Sequence, residues 1–331
     1  MIKYIITTLI SVMVIVFAEQ KIHTEDELTV IEVLEDKGRD FSAKKPNYAL
    51  KGVSAEVGKQ LFHEGFGTKP NGGKTRIQSK HFVCTSCHNT EREDPDLTVS
   101  DPQARLLYTD KKGIPFLQGT TMYGAVNRTN YYNGDYFKKY GELVFEARNN
   151  VREAIQLCAT ECAQGRALND WELESILAYM WTLQFKVEDL GLDSVSVYKL
   201  SADSIEALYL SGSPATFIPP PDDRSVGTGL DGDVNNGKLI YENSCLHCHY
   251  QGRYSFLHLD NSGLSFKHLN SKIPTYHDHS IYQVIRWGVP SLSGKPSYMP
   301  QYPVEKMSDK QLADLRAYIE FKADGGKIEE N

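Results

Sequence analysis

The cysteines constrain this chain more than any other feature. Six occur among 331 residues, in three pairs: Cys84 and Cys87 followed by His88, Cys158 and Cys162, and Cys245 and Cys248 followed by His249. Two of the pairs therefore read C-x-x-C-H. Two thiols three positions apart on one turn can each form a thioether with a vinyl group of a single haem, and the adjoining imidazole can then reach the iron as proximal ligand. A zinc ribbon would set its pairs about 15–20 residues apart, and a redox dithiol has no need of a histidine directly after its second cysteine. The spacing predicts two covalently bound haem c groups, one on Cys84, Cys87 and His88, the other on Cys245, Cys248 and His249. His247, inside the second motif, is expected on the surface of its turn.

The first eighteen residues carry one charge, Lys3, then an apolar run over 4–17 and the small-residue pattern Val16-Phe17-Ala18. That is the pattern of a secretory signal peptide, since the run is shorter than the ~20 residues a spanning helix needs. A periplasmic protein is the expectation. No cysteine follows the run, so lipid attachment is not indicated, while peripheral membrane association is left open. The net charge of −7, from 43 acidic against 36 basic side chains, offers no basic footprint for a phosphate backbone, which argues against nucleic acid as a partner. With 40% hydrophobic and 24% charged residues, the composition is that of a globular chain long enough for two domains.

Each C-x-x-C-H motif is framed in the same way. Gly58-Lys59-Gln60-Leu61-Phe62 precedes the first and Gly237-Lys238-Leu239-Ile240-Tyr241 the second, and both read as an opening helix. Behind each motif lies an amphipathic stretch, beginning at the cap residues Asp170 and Ser308, that reads as a closing helix. Helix, haem motif, variable loop and closing helix resemble the class I cytochrome c fold, present twice. The resemblance implies an all-α protein of two tandem class I cytochrome c domains, with loop insertions in the first over 65–80 and 91–141. The expected layout is a signal peptide over 1–18, a charged N-terminal arm over 19–48, the first domain over 49–190, a linker over 191–230 and the second domain over 231–325. The linker assignment rests on Ser211-Gly212-Ser213-Pro214 and Pro219-Pro220-Pro221-Asp222-Asp223.

The sixth ligands differ between the halves. Met299-Pro300, nine residues before Ser308, looks like the usual distal methionine of a cytochrome c, whose soft sulfur favours ferrous iron. Met307 is too near the helix start and reads as a packing residue. The corresponding segment of the first half contains Ile155, Cys158, Gly165, Arg166 and Leu168. These residues match I-x-x-C-x-x-x-S-x-x-G-K/R-x-L, and the segment resembles the active-site stretch of the dihaem thiosulfate dehydrogenases. The resemblance implies that Cys158 is the distal ligand of the first iron and its catalytic residue. Cys162 stands where that family has serine, and Glu161 where it has a basic residue. Cys162 as ligand, a Cys158–Cys162 disulfide, or ligation by Met122, His63 or His81 are the alternatives. Arg128, Arg148 and Arg166 are the cations that could meet an anion or pair with haem propionates.

Three functions follow as expectations. The first is electron transfer between two haems of unlike ligation, to or from a redox partner protein. The second is oxidation of a small sulfur anion at the first haem, resembling thiosulfate dehydrogenase. The third, from the likeness of residues 58–89 to bacterial dihaem peroxidases, is peroxide reduction.

Overall fold

The computed structural model describes residues 28–225, 227, 229–289 and 299–328. The expected signal peptide, and Pro296 to Tyr298 ahead of Met299, lie outside them. The fold is all-α: among the described residues there is no strand. Its helices are α1 (Val30–Asp36), α2 (Ala55–Glu64), α3 (Pro102–Lys112), α4 (Tyr136–Tyr140), α5 (Val151–Leu157) and α6 (Asp170–Trp181). They continue with α7 (Ala202–Glu206), α8 (Val234–Ile240), α9 (Leu246–His249), α10 (Gly263–Asn270), α11 (Ile281–Trp287) and α12 (Asp309–Ala323). No described helix is long and apolar enough to cross a membrane.

The internal repeat appears as two equivalent helix crossings, α2 on α6 and α8 on α12. Each opening helix offers a glycine at its point of contact. A Cβ on Gly58 would lie 1.8 Å from the Ser175 carbonyl oxygen, and one on Gly237 would lie 2.0 Å from that of Asp314. Both distances are shorter than any non-bonded contact, so the backbones meet only because the side chain is missing. Gly237→Val must push α8 off α12. A loss of about 1–3 kcal/mol or more is expected, visible as a lower denaturation midpoint. The closing helices begin as their caps dictate: the Ser308 hydroxyl accepts from the Gln311 amide at 3.1 Å. In α6 the cap is Asn169, one residue ahead of the expected Asp170.

Two expected boundaries are corrected. The supposed arm contains α1, capped by Thr29, whose Val30, Ile31, Val33 and Leu34 are buried in the first core. Its backbone is tied to the segment after α6 by Val30 N–H to Phe185 O at 2.9 Å and Val187 N–H to Leu28 O at 3.0 Å. Charges at 32, 35 and 36 mask a four-residue apolar face that is too short to stand out as periodicity. Likewise, the linker is packed over much of its length. Val197, Ile205 and Tyr209 belong to the first core, and Phe217 meets Tyr136 edge-on at 5.3 Å. Residues 218–225 run along the surface.

The cores do not divide at the linker either. Leu106 and Phe116, from the second insertion of the first half, are fully buried in the core of the second half beside Ile240, Tyr241, Tyr302 and Leu312. α3, capped by Asp101 with Pro102 in its first turn, supplies Leu106. Phe116 is fixed by its N–H to Asn243 O at 2.9 Å and by the Tyr302 hydroxyl on its carbonyl at 3.2 Å.

Candidate functional site

The second C-x-x-C-H motif lies on a continuous helical path. α8 opens into a π-turn over Tyr241–Cys245, and α9 carries Leu246, His247, Cys248 and His249. The His249 Nδ1–H donates to the Leu257 carbonyl at 2.8 Å, which orients the ring and leaves Nε2 free for a metal. Burial lowers the pKa of His249, which favours the neutral, metal-binding imidazole. Cys245, Cys248 and His249 line one cleft together with Met299, Pro300, Tyr302, Ile285 and Leu315. Met299 is fixed by its carbonyl, which accepts from Val289 N–H at 2.9 Å. The approach requires Gly288, at φ 73°, where a Cβ would lie 2.4 Å from that carbonyl. Met307 is buried in the second core, as expected of a packing residue.

The first motif sits on a tighter turn, Cys84–Ser86, with Cys87 and His88 N–H groups both bonded to the Cys84 carbonyl at 3.2 and 3.0 Å. His88 Nδ1–H donates to the Thr120 carbonyl at 2.7 Å, again freeing Nε2. Burial lowers the pKa of this imidazole as well, the hydrogen bond to Thr120 opposing. Thr120 belongs to a strap over 115–122 that is also tied to residues close behind the motif. Asn89 Nδ2 donates to Pro115 O at 2.9 Å, Thr121 Oγ1 to Glu91 O at 2.6 Å, and Thr121 N–H to Glu93 at 3.0 Å.

Burial pushes the Cys84 and Cys245 thiols up to about 12 and Cys248 to about 11. Among the described residues no group of three or more His, Cys, Asp or Glu converges as a metal-binding cluster. In each motif two cysteines stand beside an imidazole oriented through Nδ1, which is the donor set that would hold a haem c.

Cys158 and Cys162 begin and end a second π-turn, Cys158–Cys162, that continues α5. Such turns recur at functional sites. The first insertion straps it in place: Gln78 Nε2 donates to Ala159 O at 2.7 Å and Ser79 Oγ to Ala163 O at 2.5 Å. The two thiols are hydrogen-bonded to each other, which raises Cys158 and lowers Cys162, and Cys158 is close enough to feel the charge of Cys84 and Cys87. Cys162 is also lowered by the Tyr132 hydroxyl and by Lys139. Lys139 donates to Trp287 O at 2.6 Å, and burial pushes its pKa down to about 8.

The other sequence candidates are engaged elsewhere. His63 Nε2 bonds the Tyr179 hydroxyl at 2.9 Å, Met122 packs against the first core, and His81 lies edge-on to Phe82 at 6.4 Å. Arg166 is locked to Glu172 at 2.6 Å, and Arg128 donates to Thr121 O at 3.3 Å. His247 corrects its expectation: it is half-buried, tilted against Tyr254 at 5.8 Å, with Nε2 unpartnered. Burial, helped by Arg253, pushes its pKa down to about 4. Its partner is the Thr85 backbone of the first motif, so the two C-x-x-C-H turns touch. Cys248 Sγ also reaches Ser86 O at 4.0 Å, and Ser86 and Cys87 line the same cleft as Cys245 and Met299. Sequence spacing carries no signal for that contact, nor for Tyr132 and Lys139 beside Cys162.

Compared with known proteins, residues 232–319 match the family model described as cytochrome C oxidase, cbb3-type, subunit III. Neither the curated proteins nor the solved structures contain a match to the chain. The stretch 232–319 contains Cys245, Cys248, His249 and Met299. The chain therefore carries a cytochrome c domain over its C-terminal part, and with it covalent haem c and the capacity to exchange electrons with a partner protein.

Proposed function

We propose that this chain is an exported dihaem c-type cytochrome that passes electrons between two haems of unlike ligation, His88 with Cys158 and His249 with Met299, and to or from a redox partner in the periplasm. The observation that carries the reading is the meeting of the two C-x-x-C-H turns, Thr85 and Ser86 against His247 and Cys248. Haem c supplies reversible one-electron chemistry. The chain's part is to hold each imidazole by a carbonyl, from Thr120 and from Leu257. Phe82, Ile285 and Tyr302 line the shared cleft with largely apolar surface. A thioether over one iron and a thiolate over the other would separate the two potentials.

The reading is tested on the exported, mature protein. Its mass is expected to include two haems. The oxidised protein should give a thiolate-ligated low-spin resonance that disappears in Cys158→Ala while the second haem's spectrum is unchanged. A resonance with only nitrogen or thioether character would remove the thiolate.

A second reading, oxidation of a small sulfur anion at the first haem, is favoured by one group of side chains. Cys162 is hydrogen-bonded to Cys158, and the Tyr132 hydroxyl and the Lys139 ammonium adjoin Cys162, so a pair of polarisable sulfurs has a cation at its Cys162 end. Lys139 then supplies the positive charge that Arg166, bound to Glu172, does not. Turnover of thiosulfate by the purified protein, lost in Cys158→Ala, separates this reading from electron transfer alone.

A further inference from the structure

Three deeply buried charges meet between the segment that follows the first C-x-x-C-H motif and the segment that follows Met299. Glu93 is 0% exposed, Arg105 1% and Lys306 4%. Glu93 receives the Lys306 ammonium at 3.0 Å and Arg105 Nε at 3.3 Å. Burial opposes the charge on Glu93, but Arg105 and Lys306 together hold its carboxyl far below the usual carboxylate range. Three buried charges cost more to desolvate than their attraction returns unless their geometry is well satisfied, so what they hold matters.

On one side they hold the strap of the first haem motif. Glu93 accepts from Thr121 N–H at 3.0 Å and Asn89 Nδ2 at 3.1 Å, and Arg105 donates to the Leu117 carbonyl. Thr120, which orients His88, lies between these anchors. On the other side they hold the segment between Met299 and α12. Lys306 belongs to it, and Arg105 also donates to the Lys306 carbonyl at 3.2 Å. That segment is fixed a second time by Arg286, which donates to the carbonyls of Tyr302 at 3.1 Å and Met307 at 2.5 Å.

We infer that Glu93, Arg105 and Lys306 form a positioning tie that joins the proximal side of the first haem to the distal side of the second, so that the charge and geometry of either site are felt at both irons. The inference rests on the two-haem reading and goes beyond it. Glu93 and Lys306 are positioning residues that touch neither haem ligand directly. A buried negative charge favours ferric iron and a buried positive charge favours ferrous iron.

The test is redox titration of the mature holoprotein, with its haem content counted by mass, in Lys306→Met, Glu93→Gln and the double variant. Lys306→Met is expected to shift the reduction equilibrium of both haems toward ferric by about tenfold, about 59 mV for one electron. Glu93→Gln is expected to shift both the other way and to alter the methionine-to-iron charge-transfer absorption of the second haem. The double variant, having lost one charge of each sign, should return toward wild type. If Glu93→Gln fails to fold, Lys306→Met alone decides through its sign and its effect on the first haem. Two haems with both potentials and the absorption unmoved in Lys306→Met would overturn the tie and leave the two-haem reading standing. A shift confined to the second haem would do the same. A wild-type mass with a single haem would overturn both.

Discussion

Replacing Arg105 by alanine is expected to lower the unfolding free energy by about 3–5 kcal/mol, the range for removing one partner of a buried ion group. The loss has three sources. Glu93, at zero exposure, loses one of its two ion-pair partners and keeps Lys306. The carbonyls of Leu117 and Lys306 lose their donor. The guanidinium also leaves the face of Phe116, over which it lies at 4.5 Å. The pH dependence has a definite sign. Glu93 has a depressed folded pKa, so its contribution is fully present above the unfolded value of about 4.3 and is lost as the pH falls below it. The gap between wild type and Arg105→Ala should therefore be widest near neutrality and narrow under acid. Denaturant melts at about pH 7 and pH 3 would check this, and a gap that widens on acidification would contradict the assignment of Glu93 as the buried carboxylate.

Met299→His is expected to lower the potential of the second haem by on the order of 0.1 V, more than a tenfold change in its reduction equilibrium. Imidazole is the harder base and favours ferric iron, whereas the thioether favours ferrous iron. The position suits the exchange because its backbone is pinned to Val289 and held against Gly288, so a new side chain inherits the same direction. Spectroelectrochemical titration reads the change. An unaltered second potential would mean that some other side chain completes that iron.

The parts of the molecule written in contiguous residues could be read before folding. The C-x-x-C-H turns, the glycines at Gly58 and Gly237, the Ser308 cap and the Met299-Pro300 step each state their chemistry within a few positions. The family match over 232–319 falls on the half whose pattern is plainest. What escaped is non-local. Nothing near Glu93 announces Lys306, 213 residues away, and Leu106 carries no mark that its core is the one built around Tyr241. α1 was hidden because four buried side chains among acids resemble a charged tail. His247 looked peripheral because the turn it rests on belongs to the other motif. The first site was legible only as Cys158 and Cys162, whereas Tyr132 and Lys139 enter through the packing of an insertion.

The lodging of Leu106 and Phe116 in the far core bears on how such a chain can be taken apart. A gene cut between the halves would deliver a C-terminal piece with a void where those two side chains belong, and an N-terminal piece with an oily prong in water. Unlike beads on a string, the halves are dovetailed, so neither could be traded for a homologous module without carrying the other's tenon along.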